Sequence, residues 1–343
     1  MSHSLIMSDS SFPAGKLPSA NLKALISKIR QRDERLIVGP MFGEDAAILD
    51  MGDRCLIVTT DPITFATDRI GWYAVHVNAN DIAVMGARPR WFFTVLLIPE
   101  TRKNSNLIET IMFDLRKACD SLNISIAGGH TEITSQLDRP IVIGQMLGEV
   151  DKAKLIRKTS LVEGDLILLT HGVAIEGTAI LAREKANILR DKIPSEQLAK
   201  AEDYLFEPGI SVVEAALTAV ETGEVHAMHD PTEGVLLSGL YELAEAAGLG
   251  LRVLQNRIHV LPETQTICTA LGVDPLRLIA SGALLIGTTP ADAPKISATL
   301  EARGIHTTVV AEARNIGEGR VIEHDGSLTP LVPSERDEIA RLF

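Results

Sequence analysis

The apolar positions of this chain change rhythm repeatedly. Leu22, Leu25, Ile26 and Ile29 recur at helical spacing, which predicts a helix over 18–31. Short apolar runs at 46–49, 55–59, 91–98, 124–127 and 141–147 have the length of strands. Helical stretches near 71–85 and 104–122 separate some of them. In the second half, 165–170 reads as a buried strand, 176–184 as a helix and 185–209 as charged, exposed helix. Leu236, Leu240, Leu243 and Ala247 form one stripe of an amphipathic helix over 233–247. Strands at 284–287 and 307–311 follow, then a polar remainder. Strands alternating with helices predict an α/β (α+β) chain in two domains, 17–152 and 153–330. Residues 1–16, polar and Ser-rich, read as a mobile tail, 331–343 as a second tail and 152–163 as the passage between domains.

Composition narrows the class. A chain of 343 residues can build two ordinary cores, and 45% hydrophobic against 23% charged residues describes a packed globular protein. Aromatics are only 4%, so those cores must rest on aliphatic side chains. A net charge of −12 with no Lys/Arg-rich run argues against nucleic acid as the main partner. Cys55, Cys119 and Cys268 are dispersed, offering neither zinc spacing nor a disulfide framework and reading as core residues. The apolar run at 91–98 is too short to span a membrane, and the N-terminus lacks a signal-peptide pattern. A cytoplasmic protein with no membrane contact is expected.

Candidate chemistry concentrates in aspartates set among small and apolar neighbours: Asp45 in Gly43-Glu44-Asp45-Ala46-Ala47, Asp61 in Thr59-Thr60-Asp61-Pro62, and Asp81 in Asn78-Ala79-Asn80-Asp81-Ile82. A lone carboxylate is costly to bury, and converging carboxylates repel unless a cation holds them. Oxygen-only ligands suit Mg²⁺, which commonly accompanies substrate phosphates. Asn78 and Asp81, three apart, share a helix face; alternatively that helix carries a solvated polar stripe and a Gly C-cap. Gly128-Gly129-His130-Thr131 follows a strand and is either an anion-binding nest or a turn. His229-Asp230-Pro231-Thr232-Glu233-Gly234 resembles a capping box at a helix start that could also face an anion. Gly15-Lys16 is a weaker nucleotide signal, and no Walker A pattern exists.

Taken in order, these motifs resemble those of the PurM-like, aminoimidazole ribonucleotide synthetase-related superfamily, which also holds thiamine-monophosphate kinase, selenophosphate synthetase and HypE. The similarity covers about 36–287. HypE is approached most closely in the second half, through His171-Gly172, His229–Gly234 and Leu271-Gly272-Val273-Asp274-Pro275-Leu276. The resemblance implies two domains and a homodimer whose N-terminal domains pair through a shared β-barrel, with ATP in a cleft associated with that pairing. It implies Asp45, Asp61 and Asp81 as magnesium ligands. Lys16, Asn78, Gly128, Gly129, His130 and Thr131 are expected around the nucleotide, and His229, Asp230 and Glu233 at the reaction centre. The implied chemistry is ATP-dependent activation of an oxygen, or phosphorylation, of a small-molecule or protein-borne acceptor. Two departures stand out. HypE ends in a carrier cysteine, whereas this chain ends Ala340-Arg341-Leu342-Phe343, and Glu233 replaces an arginine of HypE. They motivate an alternative, a non-catalytic nucleotide-binding accessory protein in hydrogenase or metallocofactor maturation.

Overall fold

The computed structural model describes residues 17, 19–41, 43–64, 66–101, 104–232, 235–333 and 337–343. The first part runs α1 (Ser19–Ile26), β1 (Leu36–Val38), β2 (Ala47–Asp50), β3 (Arg54–Ile63), α2 (Ile70–Ala83), β4 (Arg88–Pro99), α3 (Asn104–Ser121), β5 (Ser125–Thr134) and β6 (Ile141–Asp151). Its strands form one open sheet in the order β1-β2-β3-β6-β4-β5, antiparallel except for β4 against β5. The long central pair holds register from Arg54–Asp151 to Ile63–Val142. Side chains alternate across this sheet, so Cys55, Ile57, Val142 and Met146 are buried while their neighbours are partly or wholly exposed. The first helix stops at Ile26 rather than 31. Leu25 and Ile29 are exposed, so beyond that point the apolar stripe is not covered by the described residues.

Helix α2 crosses the buried face against β3 and β6. Close contact is possible because β6 carries glycine where α2 passes. A Cβ on Gly144 would fall 2.3 Å from Asn78 Nδ2, and one on Gly148 would fall 2.3 Å from Ile82 Cγ2. The solvated polar stripe considered for this helix is not found: His76, Asn78, Asn80 and Asp81 are all buried.

Two 3₁₀ turns, Lys152–Lys154 and Lys158–Ser160, carry the chain into the second part. It comprises β7 (Leu166–Thr170), α4 (Ile175–Glu184), α5 (Ala186–Leu189), α6 (Ser195–Asp203), α7 (Val213–Thr222), β8 (Val225–His229), α8 (Val235–Ala246), β9 (Gly250–Leu254), α9 (Pro262–Leu271), β10 (Leu285–Thr288), α10 (Ala293–Glu301), β11 (Thr307–Arg314), β12 (Arg320–His324) and β13 (Ser327–Pro330). These strands make a second sheet, β13-β12-β9-β11-β7-β10-β8, with only β12 parallel to its neighbour β9. Its central strands β7 and β10 are apolar along their length, as strands covered on both faces must be. The fold is a mixed α/β arrangement of two domains, and the first sheet has open edges within one chain.

Two expectations need correcting. The 185–209 stretch is broken, not one exposed helix, and it buries Leu189, Leu198, Ala201, Tyr204 and Leu205. The polar remainder after Ala311 supplies β12 and β13, and Leu331 and Ile339 join the core. Isolated apolar residues among charges gave no periodic signal there, yet these two are buried.

Candidate functional site

Three of the expected aspartates reach one place by different routes. Asp45 precedes β2, Asp61 lies on β3 opposite Gly144, and Asp81 sits on the buried side of α2. The Thr59 hydroxyl lies 2.7 Å from Asp81 Oδ2 and 3.0 Å from the Asp45 carbonyl oxygen, tying helix and loop to one strand. Asn78 accepts the Asp61 amide at 3.0 Å and donates to the Ala74 carbonyl at 2.8 Å. Burial, followed by the charges of Asp61, Asp230 and Asp45, pushes the Asp81 carboxyl well above the usual range. The three carboxylates therefore converge and repel, and the second domain adds a fourth.

That fourth group is Asp230, immediately after β8. It is 1% exposed, and neither carboxylate oxygen has a hydrogen bond among the described residues. Burial and the adjacent Asp45 carboxylate push its pKa up to about 8. An orphaned buried carboxylate is an expense the fold has no apparent structural reason to carry. The capping-box reading turns on Glu233, which lies outside the described residues. His229, buried beside it, faces Asp45 Oδ2 through Nδ1 at 3.3 Å and Glu242 through Nε2 at 3.6 Å. Burial and Lys158 would lower the imidazole pKa, but the Asp45 and Glu242 carboxylates outweigh them and raise it. A Cβ on Gly239 of α8 would stand 3.1 Å from the His229 ring, so the glycine lets the helix close against it.

The site also contains a cation that the sequence did not announce. Lys158, from the interdomain passage, is 1% exposed; its ammonium donates to Asp45 Oδ1 at 2.8 Å and to the Gly43 carbonyl at 2.6 Å. Burial alone would raise the Asp45 pKa, yet Lys158 and then His229 hold it well below the usual range. Lysine in a polar linker ordinarily reads as solvated, and only its flanking Ile156 and Leu161, both buried, hinted otherwise. Glu44, Glu242 and Thr59 were likewise missed. Burial raises the Glu44 pKa, and its Oε2 is unpartnered among the described residues. A cavity of about 120 Å³ opens here, lined among others by Glu44, Asp45, His229, Thr232 and Glu242.

The remaining expected residues do not join this cluster. Gly128, Gly129, His130 and Thr131 form no loop; they lie on β5, exposed almost throughout, and His130 stands 3.7 Å from Glu132. The glycines serve the strand pairing, since a Cβ on Gly129 would fall 2.2 Å from the Thr94 carbonyl oxygen. No hydrogen bond or ion pair links these residues to the carboxylates among the described residues. Lys16 and Glu233 lie outside the described residues. Cys55, Cys119 and Cys268 are buried, and burial pushes the Cys119 and Cys268 thiols up to about 12, so they are core residues.

Comparison with known proteins gives the cluster its context. Residues 43–150 match the N-terminal domain, and 162–323 the C-terminal domain, of AIR synthase related protein. A Methanocaldococcus jannaschii protein named for hydrogenase expression and formation is 30% identical over 292 residues, 82% of each chain. The carbamoyl dehydratase HypE of Rhodobacter capsulatus is 28% identical, over 83% of this chain and 80% of its own. Among solved structures, the hydrogenase maturation protein HypE in complex with ATP superposes with a TM-score of 0.71 at 22% identity, covering 93% of this chain and 91% of that one.

Proposed function

This chain belongs to the family of AIR synthase related proteins, and we propose that it is a Mg-ATP-dependent enzyme that activates an oxygen of, or phosphorylates, a small-molecule or protein-borne group. One observation carries the reading: Asp230 is buried beside Asp45 and Asp81, with both oxygens unpartnered among the described residues. A cation is the partner that such a set lacks. Asp45, Asp61 and Asp81 would hold magnesium, whose chemistry is to neutralise the charge of a triphosphate during transfer. Asp230 and His229 approach from the second domain and would face the acceptor, with Asn78 and Thr59 fixing the metal-side carboxylates. The acidic cavity beside His229 would receive the reacting end of the acceptor. The carbamoyl dehydratase activity named for the HypE relatives makes a carboxamide-type oxygen the first acceptor class to try.

The exposed edge strand β5 supports a homodimer in which N-terminal domains pair edge to edge. Gly128, Gly129, His130 and Thr131 would then line the nucleotide from that interface. Light scattering should give twice 37.0 kDa; a monomer at micromolar concentration would remove this part of the proposal.

Calorimetric titration with ATP, with and without Mg²⁺, tests the main reading. Absence of Mg-dependent binding sinks it. The second reading is a non-catalytic accessory protein, favoured by the fact that Lys158 and His229 already engage both Asp45 oxygens. Nucleotide binding without turnover on any acceptor would select that role.

A further inference from the structure

Resting on the reading that His229 and Asp230 face the acceptor, we infer that His226 is a positioning residue for both. As an imidazolium held between Asp165 and Glu224, it fixes the edge strand that leads to them. Strand β8 lies at the end of the second sheet and, among the described residues, pairs with β10 alone. Its ladder is broken where His226 stands. Ala227 pairs with Gly287 and Val225 with Thr288, which leaves His226 as the extra residue of a bulge. A bulge frees one residue from the ladder and re-aims its side chain. Here the ring meets Asp165, Nδ1 standing 2.8 and 3.0 Å from the two carboxylate oxygens. On the other side Nε2 stands 3.2 Å from Glu224 Oε1.

Both ring nitrogens face carboxylates, and a neutral imidazole can donate from only one of them. The geometry therefore calls for the doubly protonated ring. Burial would lower its pKa, but Asp165 and then Glu224 outweigh burial and raise it. Charged groups on the elements packed against β8 are turned elsewhere: Lys158 to Asp45, Glu242 to His229, Glu214 to Arg303 and Asp292 to the Glu224 amide. Strand β10 holds no titratable residue. Asp165 is itself a junction. It is buried, its Oδ2 accepts the Val162 amide at 2.9 Å, and its carbonyl accepts the Ala313 amide at 2.8 Å. Leu161 of the interdomain passage lies over β10, where a Cβ on Gly287 would fall 2.4 Å from its Cδ1. The turn Lys158–Ser160 packs against β8 as well. His226 thus ties the strand that ends in His229 to the segment that delivers Lys158 to Asp45. Without its charge, buried Asp165 loses a cation and the edge strand loses its second attachment.

Histidine NMR on the full chain, without nucleotide or metal, reads the ring directly. The His226 Cε1 proton should titrate with a midpoint above the ordinary 6.5. Asp165→Asn should lower that midpoint. Glu224→Gln, at the exposed end, should lower it less and identifies the resonance without disturbing the buried carboxylate. Hydrogen exchange reads the strand. With the folded midpoint raised, the bridge holds fully below pH 6.5 and is lost as pH rises through that midpoint. Corrected for intrinsic rates, β8 amides should exchange about tenfold faster at pH 9 than at pH 6. His226→Gln should show the faster rate at both pH values, and at pH 6 it should displace the His229 Cε1 resonance. Loss of packing alone would leave the pH dependence in place. A midpoint at or below 6.5, or β8 exchange with no pH dependence beyond the intrinsic one, overturns the inference, and both are read in the unsubstituted chain. Neither measurement uses Mg-ATP, so failure here leaves the nucleotide titration standing, and failure of that titration leaves the attachment of β8 standing.

Discussion

At the scale of single residues, the molecule spends stability on groups that a structural role does not explain. Burial and then the charges of Asp61, Asp230 and Asp45 disfavour the ionised form of Asp81. Asparagine carries no charge to disfavour, but it cannot offer a carboxylate to a cation. Asp81→Asn should leave the melting temperature of the ion-free protein unchanged or raised, and weaken Mg-dependent ATP binding by about tenfold or more in calorimetry. Unchanged affinity would remove Asp81 from the site. His76 is a second buried polar group, its ring 4.5 Å from Trp72 and its pKa lowered by burial to about 3. The unfolded chain takes up this proton near pH 6.5, while the folded chain resists until about 3. Stability from neutral His76 is thus present above pH 6.5 and lost as pH falls through that window, by roughly 5 kcal/mol in total. His76→Phe keeps an aromatic ring against Trp72 and should flatten that part of the stability–pH curve. Urea midpoints at pH 7 and pH 4 check it; an unchanged difference between them contradicts it.

At the scale of elements, α2 decides the site because it brings Asn78, Asn80 and Asp81 inside. Its approach to the sheet depends on Gly144 and Gly148 more than on its own apolar residues. A Cβ on Gly148 would meet Ile82 Cγ2 at 2.3 Å and the Arg88 carbonyl oxygen at 2.6 Å, and backbone cannot yield cheaply. Gly148→Ala should cost about 1–3 kcal/mol of stability in urea unfolding. It should also weaken metal binding by lifting Asp81 away from Thr59. A loss below the error of the measurement would show that the helix does not rest on that strand as described.

The whole molecule is joined at Asn80 as well as at the carboxylates. Asn80 is fully buried, accepts the Val212 amide at 2.8 Å and donates to the Ile210 carbonyl at 2.8 Å, so one side chain of the first domain satisfies two backbone groups of the second. Asn80→Ala leaves both unpaired, at about 2–4 kcal/mol. Calorimetry should show a lower melting temperature and a loosening of the cooperativity between domains. An unaltered thermogram would mean that the domains are held elsewhere, with Lys158–Asp45 the next pair to test.

The order of elements, the alternation of strands with helices and the carboxylates that cluster were legible in the sequence. Period-two and period-3.6 patterns and embedded carboxylates are local properties, and Asp45, Asp61, Asp81 and Asp230 do meet. Boundaries were less legible, since Ser125–Thr134 continues as a strand through two glycines that propensity would take for a turn. The tertiary structure alone decided the partners. It buried Lys158 from a polar linker, set Glu242 behind His229 and laid Gly128–Thr131 along an exposed strand instead of in a loop. The physical reason is that a carboxylate's need for a partner is written in its neighbours along the chain. Which group answers that need depends on contacts more than a hundred residues apart, as in Asp45 with Lys158 and His229.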